Sequence, residues 1–185
     1  MFYVIKRSCD ILTNNIHYAP GTTWISIKCP INRGHQRVGG RNGPLRVELE
    51  ENVTDFMWTI EETFITDRVA RLFKEAGFTG YELKPVEVVN RRDITVWGFN
   101  VIGRGGKAQG LQLKYRCEAC GVERYSGYEN GIIFDEKEWD GSDFFMIDGW
   151  GVILITEKVK DFIENNSLTN VIIIPANEFK VDIDI

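Results

Sequence analysis

FITDRVARLFKEAGFTGYELKP, residues 64–85, returns as LITEKVKDFIENNSLTNVIIIP, residues 154–175, at a constant offset of 90 and without a gap. Ile65, Thr66, Val69, Thr79 and Pro85 recur as Ile155, Thr156, Val159, Thr169 and Pro175. Asp67/Glu157, Arg68/Lys158, Phe78/Leu168 and Leu83/Ile173 keep charge or apolar character. Upstream the echo continues at an offset of 88, with Asp55-Phe56 answered by Asp143-Phe144 and Cys29 by Cys117. Each half therefore reads as cysteine turn, strand, helix, strand, the signature of a duplicated supersecondary unit.

The local chemistry of each copy supports that reading. Thr66 and Thr156 stand where an N-cap belongs, and Asp67 and Glu157 follow in the first turn, where a carboxylate suits the helix dipole. Val69, Leu72, Phe73 and Ala76 fall at helical spacing in the first copy, as do Val159, Phe162 and Ile163 in the second. Gly77 is a C-terminal stop, replaced by Asn165-Asn166-Ser167 in the second copy. Both helices run into a strand that ends at proline, 81–85 and 171–175.

At 185 residues, with 43% hydrophobic and 26% charged side chains, the chain is long enough to bury a sizeable core and has a globular composition. We read it as one pseudo-symmetric domain over 1–185, with halves of approximately 1–90 and 91–185, because no Pro/Ser-rich linker divides them. The apolar stretches are strand-sized, which excludes a membrane span. The N-terminal MFYVIKRSCD lacks a cleavable apolar region and reads as an edge strand, so a cytoplasmic location is expected.

Beyond the repeat, FYVIK (2–6), TWISIK (23–28), 45–49 and 55–60 read as strands. NRGHQRVGGRNGP (32–44) is rich enough in Gly, Arg and Asn to be a long exposed loop, and GRGGKAQG (103–110) a turn between strand-like runs. Neither glycine-rich stretch has phosphate-loop spacing. The fold class expected is α+β: internally duplicated strand-helix-strand units on mixed, mainly antiparallel sheet, with few helices.

Four cysteines occur: Cys9, Cys29, Cys117 and Cys120. Cys117-Glu118-Ala119-Cys120-Gly121 is a knuckle, a tight turn that presents two thiolates to one tetrahedral metal. One knuckle supplies half a structural zinc site. The repeat places the other half around Cys29, where Asn32 occupies the position of a second cysteine, leaving His35 or Cys9 to complete the set. The alternative is a decayed site with buried thiols. Neither His17 nor His35 has a nucleophile or carboxylate at a motif spacing, so an enzyme is not expected.

The net charge of −5 is unevenly spread. Lys28, Arg33, Arg37, Arg41 and Arg46 lie in a stretch without acids, whereas the segment from Glu129 to Asp148 holds seven acids against Lys137 alone. Within the latter, Asp135, Glu136, Glu138, Trp139 and Asp140 are candidate partner-binding residues: aromatics between carboxylates can anchor while the charges steer a basic partner. The other reading is a solvated loop whose Trp139 and Phe144 pack inward. Overall acidity and the lack of interleaved exposed aromatics argue against nucleic acid.

A cysteine turn in each half, a strand of the form DFF, and the C-terminal VILITEKVKDFIENNSLTNVIIIPANEF together resemble the double-CxxCG-motif immunity proteins of bacterial polymorphic toxin systems. The resemblance runs from Cys29 onward and is best in the C-terminal third. Cys117, Cys120 and Gly121 match the family's second knuckle, while only Cys29, Pro30 and Gly34 survive from the first. It implies a non-catalytic protein that binds and neutralises a cognate toxin. A zinc-ribbon-like nucleic-acid-binding or regulatory protein, using the basic stretch after Cys29, is the alternative.

Overall fold

A computed structural model describes residues 1–8 and 16–180 of the chain. The two copies of the repeat fold alike. In the first, strand Thr63–Thr66 leads into helix α1 (Asp67–Glu75) and strand Tyr81–Pro85; in the second, Ile153–Thr156 leads into α2 (Glu157–Asn165) and Ile172–Pro175. Thr66 Oγ1 caps α1 by accepting from Val69 N at 3.4 Å. Thr156 holds the same position, but its hydroxyl donates to Asp143 Oδ1 at 3.3 Å and leaves α2 without a side-chain cap. Gly77 ends the first helix turn at φ +70°, and Ser167 takes over at φ +49° in the second.

Two sheets carry the helices. The four-stranded sheet runs Phe56–Trp58, Thr63–Thr66, Val96–Val101, Tyr81–Pro85, all antiparallel. The six-stranded sheet runs Ile133–Phe134, Gly103–Gln109, Phe144–Asp148, Ile153–Thr156, Phe2–Lys6, Ile172–Pro175, with one parallel pairing, between Gly103–Gln109 and Phe144–Asp148. The fold is therefore α+β, rich in strands and mainly antiparallel.

The N-terminal strand is not the edge strand that the sequence suggested. Phe2–Lys6 lies between Ile153–Thr156 and Ile172–Pro175, antiparallel to both. Tyr3, Val4 and Ile5 are all buried, because both faces of this strand are covered. A continuous apolar run is what such a position requires. Val96–Val101 does the same between the strands flanking α1, and the registers agree: Tyr3 faces Ile155 and Pro175, Trp97 faces Ile65 and Pro85. Tyr3 Oη donates to Glu157 Oε1 at 3.3 Å and Trp97 Nε1 to Asp67 Oδ1 at 3.1 Å, so each central strand is pinned to the first acid of the facing helix. Each half of the chain thus begins with a strand that completes the sheet of the other half.

Two clasps repeat the exchange. Asp55 Oδ2 accepts from Thr169 N (3.0 Å) and Oγ1 (3.1 Å), and Asp143 Oδ2 accepts from Thr79 N (3.0 Å) and Oγ1 (3.2 Å). Between the clasps lies one apolar cluster drawn from both copies, including Phe56, Phe73, Phe78, Phe144, Val159 and Ile163.

The glycine-rich stretches also differ from expectation. Residues 103–109 form a strand, because Gly103 and Gly105 let the backbone approach its neighbour: a Cβ at Gly105 would lie 2.8 Å from the Phe145 ring. Residues 37–42 form a strand paired with Thr23–Ile27, preceded by a short turn at Arg33–His35. Among the described residues no helix is long and apolar enough to cross a membrane.

Candidate metal centre

Two hairpins stand on this frame. The first pairs Thr23–Ile27 with Arg37–Asn42, and the second pairs Gln112–Arg116 with Glu123–Ser126. Cys29 lies in the connection of the first and Cys117 in that of the second, as the 88-residue echo requires. Their sulfurs are 3.8 Å apart. Cys120 Sγ lies 3.7 Å from His35 Nδ1. The donor atoms of Cys29, His35, Cys117 and Cys120 all fall within 4.8 Å of one another; Cys29, His35 and Cys117 are buried, Cys120 half-buried.

The spacing suits a metal. Four sulfurs about 2.3 Å from a tetrahedral zinc would lie about 3.8 Å from each other, and the sulfur-sulfur contact has that length. His35 fills the fourth place that the sequence left open to His35 or Cys9; Cys9 lies outside the described residues.

Local backbone chemistry builds each turn. In the second knuckle Gly121 N donates to Cys117 O at 2.7 Å with Gly121 at φ +70°, and Cys117 N donates to Val122 O at 2.8 Å. In the first, Asn32 replaces the missing cysteine as an organiser: its Oδ1 accepts from Gly34 N at 2.8 Å, which closes the turn that delivers His35, and its Nδ2 lies 3.2 Å from His35 Nε2. Arg37 Nη2 donates to Cys120 O at 3.0 Å and ties the first hairpin to the turn of the second.

The thiols are poised for charge. Burial opposes ionisation of Cys117, but the backbone N–H and side chain of Cys120, the Tyr115 hydroxyl and the Ala119 N–H outweigh it and bring the thiol down to about 6. At Cys120 the Val122 N–H favours the thiolate, yet burial together with the neighbouring Cys117 and Cys29 sulfurs pushes the thiol up. Without a metal the pair holds one negative charge readily and resists a second; a divalent cation removes that conflict. Tyr115, whose ring lies 5.5 Å from His35, and Arg37 were not singled out from sequence as parts of this centre. Tyr115 stands two residues before Cys117, the spacing at which side chains of an extended backbone share a side, and that is the sequence signal for it.

The acidic segment turns its aromatic residues inward, as the second of its two readings expected, and its carboxylates divide between internal contacts and solvent. Trp139 packs against Phe2 (5.1 Å) and Phe145 (5.6 Å) and donates to Ser142 O at 3.1 Å, and Phe144 is fully buried. Glu138 Oε2 accepts from Lys107 N at 3.0 Å and Asp140 Oδ2 from Arg104 N at 2.8 Å, so these two carboxylates fasten the segment to strand Gly103–Gln109. Burial raises the Asp140 carboxyl, but hydrogen bonds from Ser142 and Arg104 win and hold it below the ordinary carboxylate range. Asp135 accepts from Lys137 N and opens the short turn at Glu136–Glu138, and the Glu136 carboxylate makes no hydrogen bond or ion pair among the described residues. Asp135 and Glu136 are both exposed. His17 forms an exposed pair with Glu50 at 2.9 Å.

A cleft of about 710 Å³ runs between the first hairpin and the two sheets, with Trp24 and Arg41 on one wall and Trp58 and Lys84 among the others. Comparison with protein-family models gives no match, and comparison with curated proteins gives none either.

Proposed function

We propose that this chain is an immunity protein: it binds a cognate bacterial toxin in the cytoplasm and neutralises it by occupying a functional surface, without catalysis of its own. The observation that carries this reading is the rigid acidic edge over residues 134–140. Trp139, Glu138 and Asp140 fix its backbone to the sheet, while Asp135 and Glu136 face solvent. An acidic surface held in one shape suits electrostatic capture of a basic cleft, because little ordering entropy is lost on docking. The resemblance to double-CxxCG-motif immunity proteins supports the same conclusion.

In this reading the ion held by Cys29, His35, Cys117 and Cys120 is zinc, in a closed structural role: four protein donors leave no open position for a substrate. It locks the two hairpins to each other. Protein purified without added metal should carry about one zinc per chain.

Co-expression with the product of the adjacent gene, scored for growth, tests the function. Protection that falls when Asp135→Lys and Glu136→Lys are combined supports it; absence of protection by the wild type defeats it. The position of the metal ligands in the connections of two hairpins favours a second reading, a zinc-ribbon-like nucleic-acid binder, which requires salt-dependent affinity for an oligonucleotide.

A further inference from the structure

The two hairpins around the metal centre carry a charge opposite to the rest of the molecule. Residues 23–42 and 112–126 contain seven basic side chains (Lys28, Arg33, Arg37, Arg41, Lys114, Arg116, Arg124) and two acids (Glu118, Glu123), a net +5. The whole chain is −5, so the remainder carries −10. Four of the seven are engaged within the protein: Arg41 with Glu62, Arg116 with Glu123, Arg37 with Cys120 O and Lys114 with Gln112. Lys28, Arg33 and Arg124 have no such partner among the described residues and are exposed.

Apolar side chains share this surface. Ile31 is 72% exposed, Ile25 56%, Leu113 50%, Val38 48% and Tyr115 42%. Every residue of strand Gln112–Arg116 is exposed. A strand pair with both faces in water gains little from burial, so these branched side chains do not contribute to the core. Unpaired cations around exposed aliphatic groups have the composition of a protein interface, an apolar centre inside a polar rim.

We propose that the metal-clamped hairpins are a second docking surface, which engages an acidic patch on the toxin. The proposal rests on the immunity reading above and adds the charge and position of the contact. With the acidic edge at 134–140 it makes the molecule bipolar, and a bipolar complement fixes the orientation of a partner as well as its affinity. A protein partner fits better than nucleic acid. Single-stranded nucleic acid is held largely by bases stacked on exposed rings, whereas the most exposed apolar groups here are Ile31, Ile25 and Leu113. Of the aromatic side chains, Trp24 lies against Tyr18 at 5.3 Å, Tyr125 donates to Glu123, and Tyr115, the one exposed ring among the described residues of these hairpins, lies against His35 at 5.5 Å.

The test is binding of the purified adjacent-gene product to the zinc-loaded full chain, measured by surface plasmon resonance at low and high salt. Arg33→Glu combined with Arg124→Glu should slow association about tenfold at low ionic strength, with the gap closing near 0.5 M salt. Ile31→Asp combined with Leu113→Asp should weaken binding by more than about tenfold through faster dissociation. All four positions are exposed, so zinc content and circular dichroism should stay at wild-type values. Wild-type binding with both variants within twofold overturns this inference and leaves the immunity reading standing. No wild-type binding defeats both. Variants that lose affinity for a 20-nucleotide single-stranded RNA while keeping the protein partner also overturn it, in favour of nucleic acid.

Discussion

Replacing Asp55 by alanine removes the acceptor of one inter-repeat clasp and is expected to cost about 3 kcal/mol. The side chain is 12% exposed, and its Oδ2 takes both the backbone N–H and the hydroxyl of Thr169. Hydrogen bonds to a charged group contribute roughly 1.5–3 kcal/mol, and two act here; Thr169 is itself exposed, so water can take its freed N–H and each bond counts near the lower end of that range. The ion pair to Arg68 at 2.8 Å adds little, since Arg68 is 52% exposed and such pairs contribute about 0–1 kcal/mol. Asp143→Ala should cost about as much: its contacts to Thr79 have similar lengths, and the Thr156 hydroxyl on its Oδ1 at 3.3 Å offsets the longer ion pair with Lys158 at 4.0 Å. Thr169→Val, which removes the hydroxyl and keeps the N–H, should cost about 1 kcal/mol. Urea unfolding followed by tryptophan fluorescence reads these values; with a slope of roughly 2 kcal/mol/M, Asp55→Ala lowers the midpoint by more than 1 M. If Asp55→Ala and Asp143→Ala unfold within about 0.5 kcal/mol of an Arg68→Ala control, the clasps do not hold the halves together and the reasoning fails.

Gly80→Ala should be among the most damaging single substitutions, because Gly80 sits at φ +87° and an added Cβ would meet the Phe144 carbonyl oxygen; a melting temperature within 2 °C of wild type would contradict this. Asp140→Asn should lower stability by about 1–2 kcal/mol at neutral pH by weakening the bonds to Arg104 and Ser142. The sign with pH follows from a folded carboxyl held below its ordinary 3.8: the contribution is present in full above that value and is lost as pH falls through the lower folded one. Unfolding curves of the two proteins should therefore converge only below about pH 4, and convergence at pH 5–6 would count against the assignment.

The duplicated units were legible because each is local. Cap position, helical spacing and terminal proline lie within 22 residues, and the two copies check each other. Three members of the candidate metal cluster were legible because the two copies could be compared, the echo of Cys117 at Cys29 pointing to one centre built from both halves, while the fourth stayed open between His35 and Cys9. What was not legible depends on contacts far apart in the chain. Nothing local in FYVIK tells a strand at the rim from one inserted between Ile153–Thr156 and Ile172–Pro175. The glycines of 103–106 read as a turn by composition, but they serve the close approach of Phe145 and Glu138. The acidic segment stayed between two readings for a similar reason: a carboxylate that accepts from a strand N–H, as Glu138 and Asp140 do, has the same sequence signature as one left in solvent.

Asn32 offers a sharper test of the metal centre than removal of a ligand does. Gly34 N donates to its Oδ1, which fixes the amide so that Nδ2 points at His35 Nε2. That arrangement requires Nε2 to accept and places the imidazole proton on Nδ1, beside Cys120 Sγ. A metal that takes Nδ1 displaces this proton, and the ring then carries its hydrogen on Nε2, facing the amide donor-to-donor. Asn32 must turn to relieve the clash, at the expense of its bond from Gly34. Aspartate at position 32 accepts from both N–H groups at once and orients the ring as carboxylates do behind metal-bound histidines, where such partners change affinity about 10–100-fold. Asn32→Asp should therefore raise zinc affinity by about tenfold in chelator competition, while Asn32→Leu, which satisfies neither group, should lower it. A lower affinity in Asn32→Asp than in wild type would mean that His35 does not bind through Nδ1.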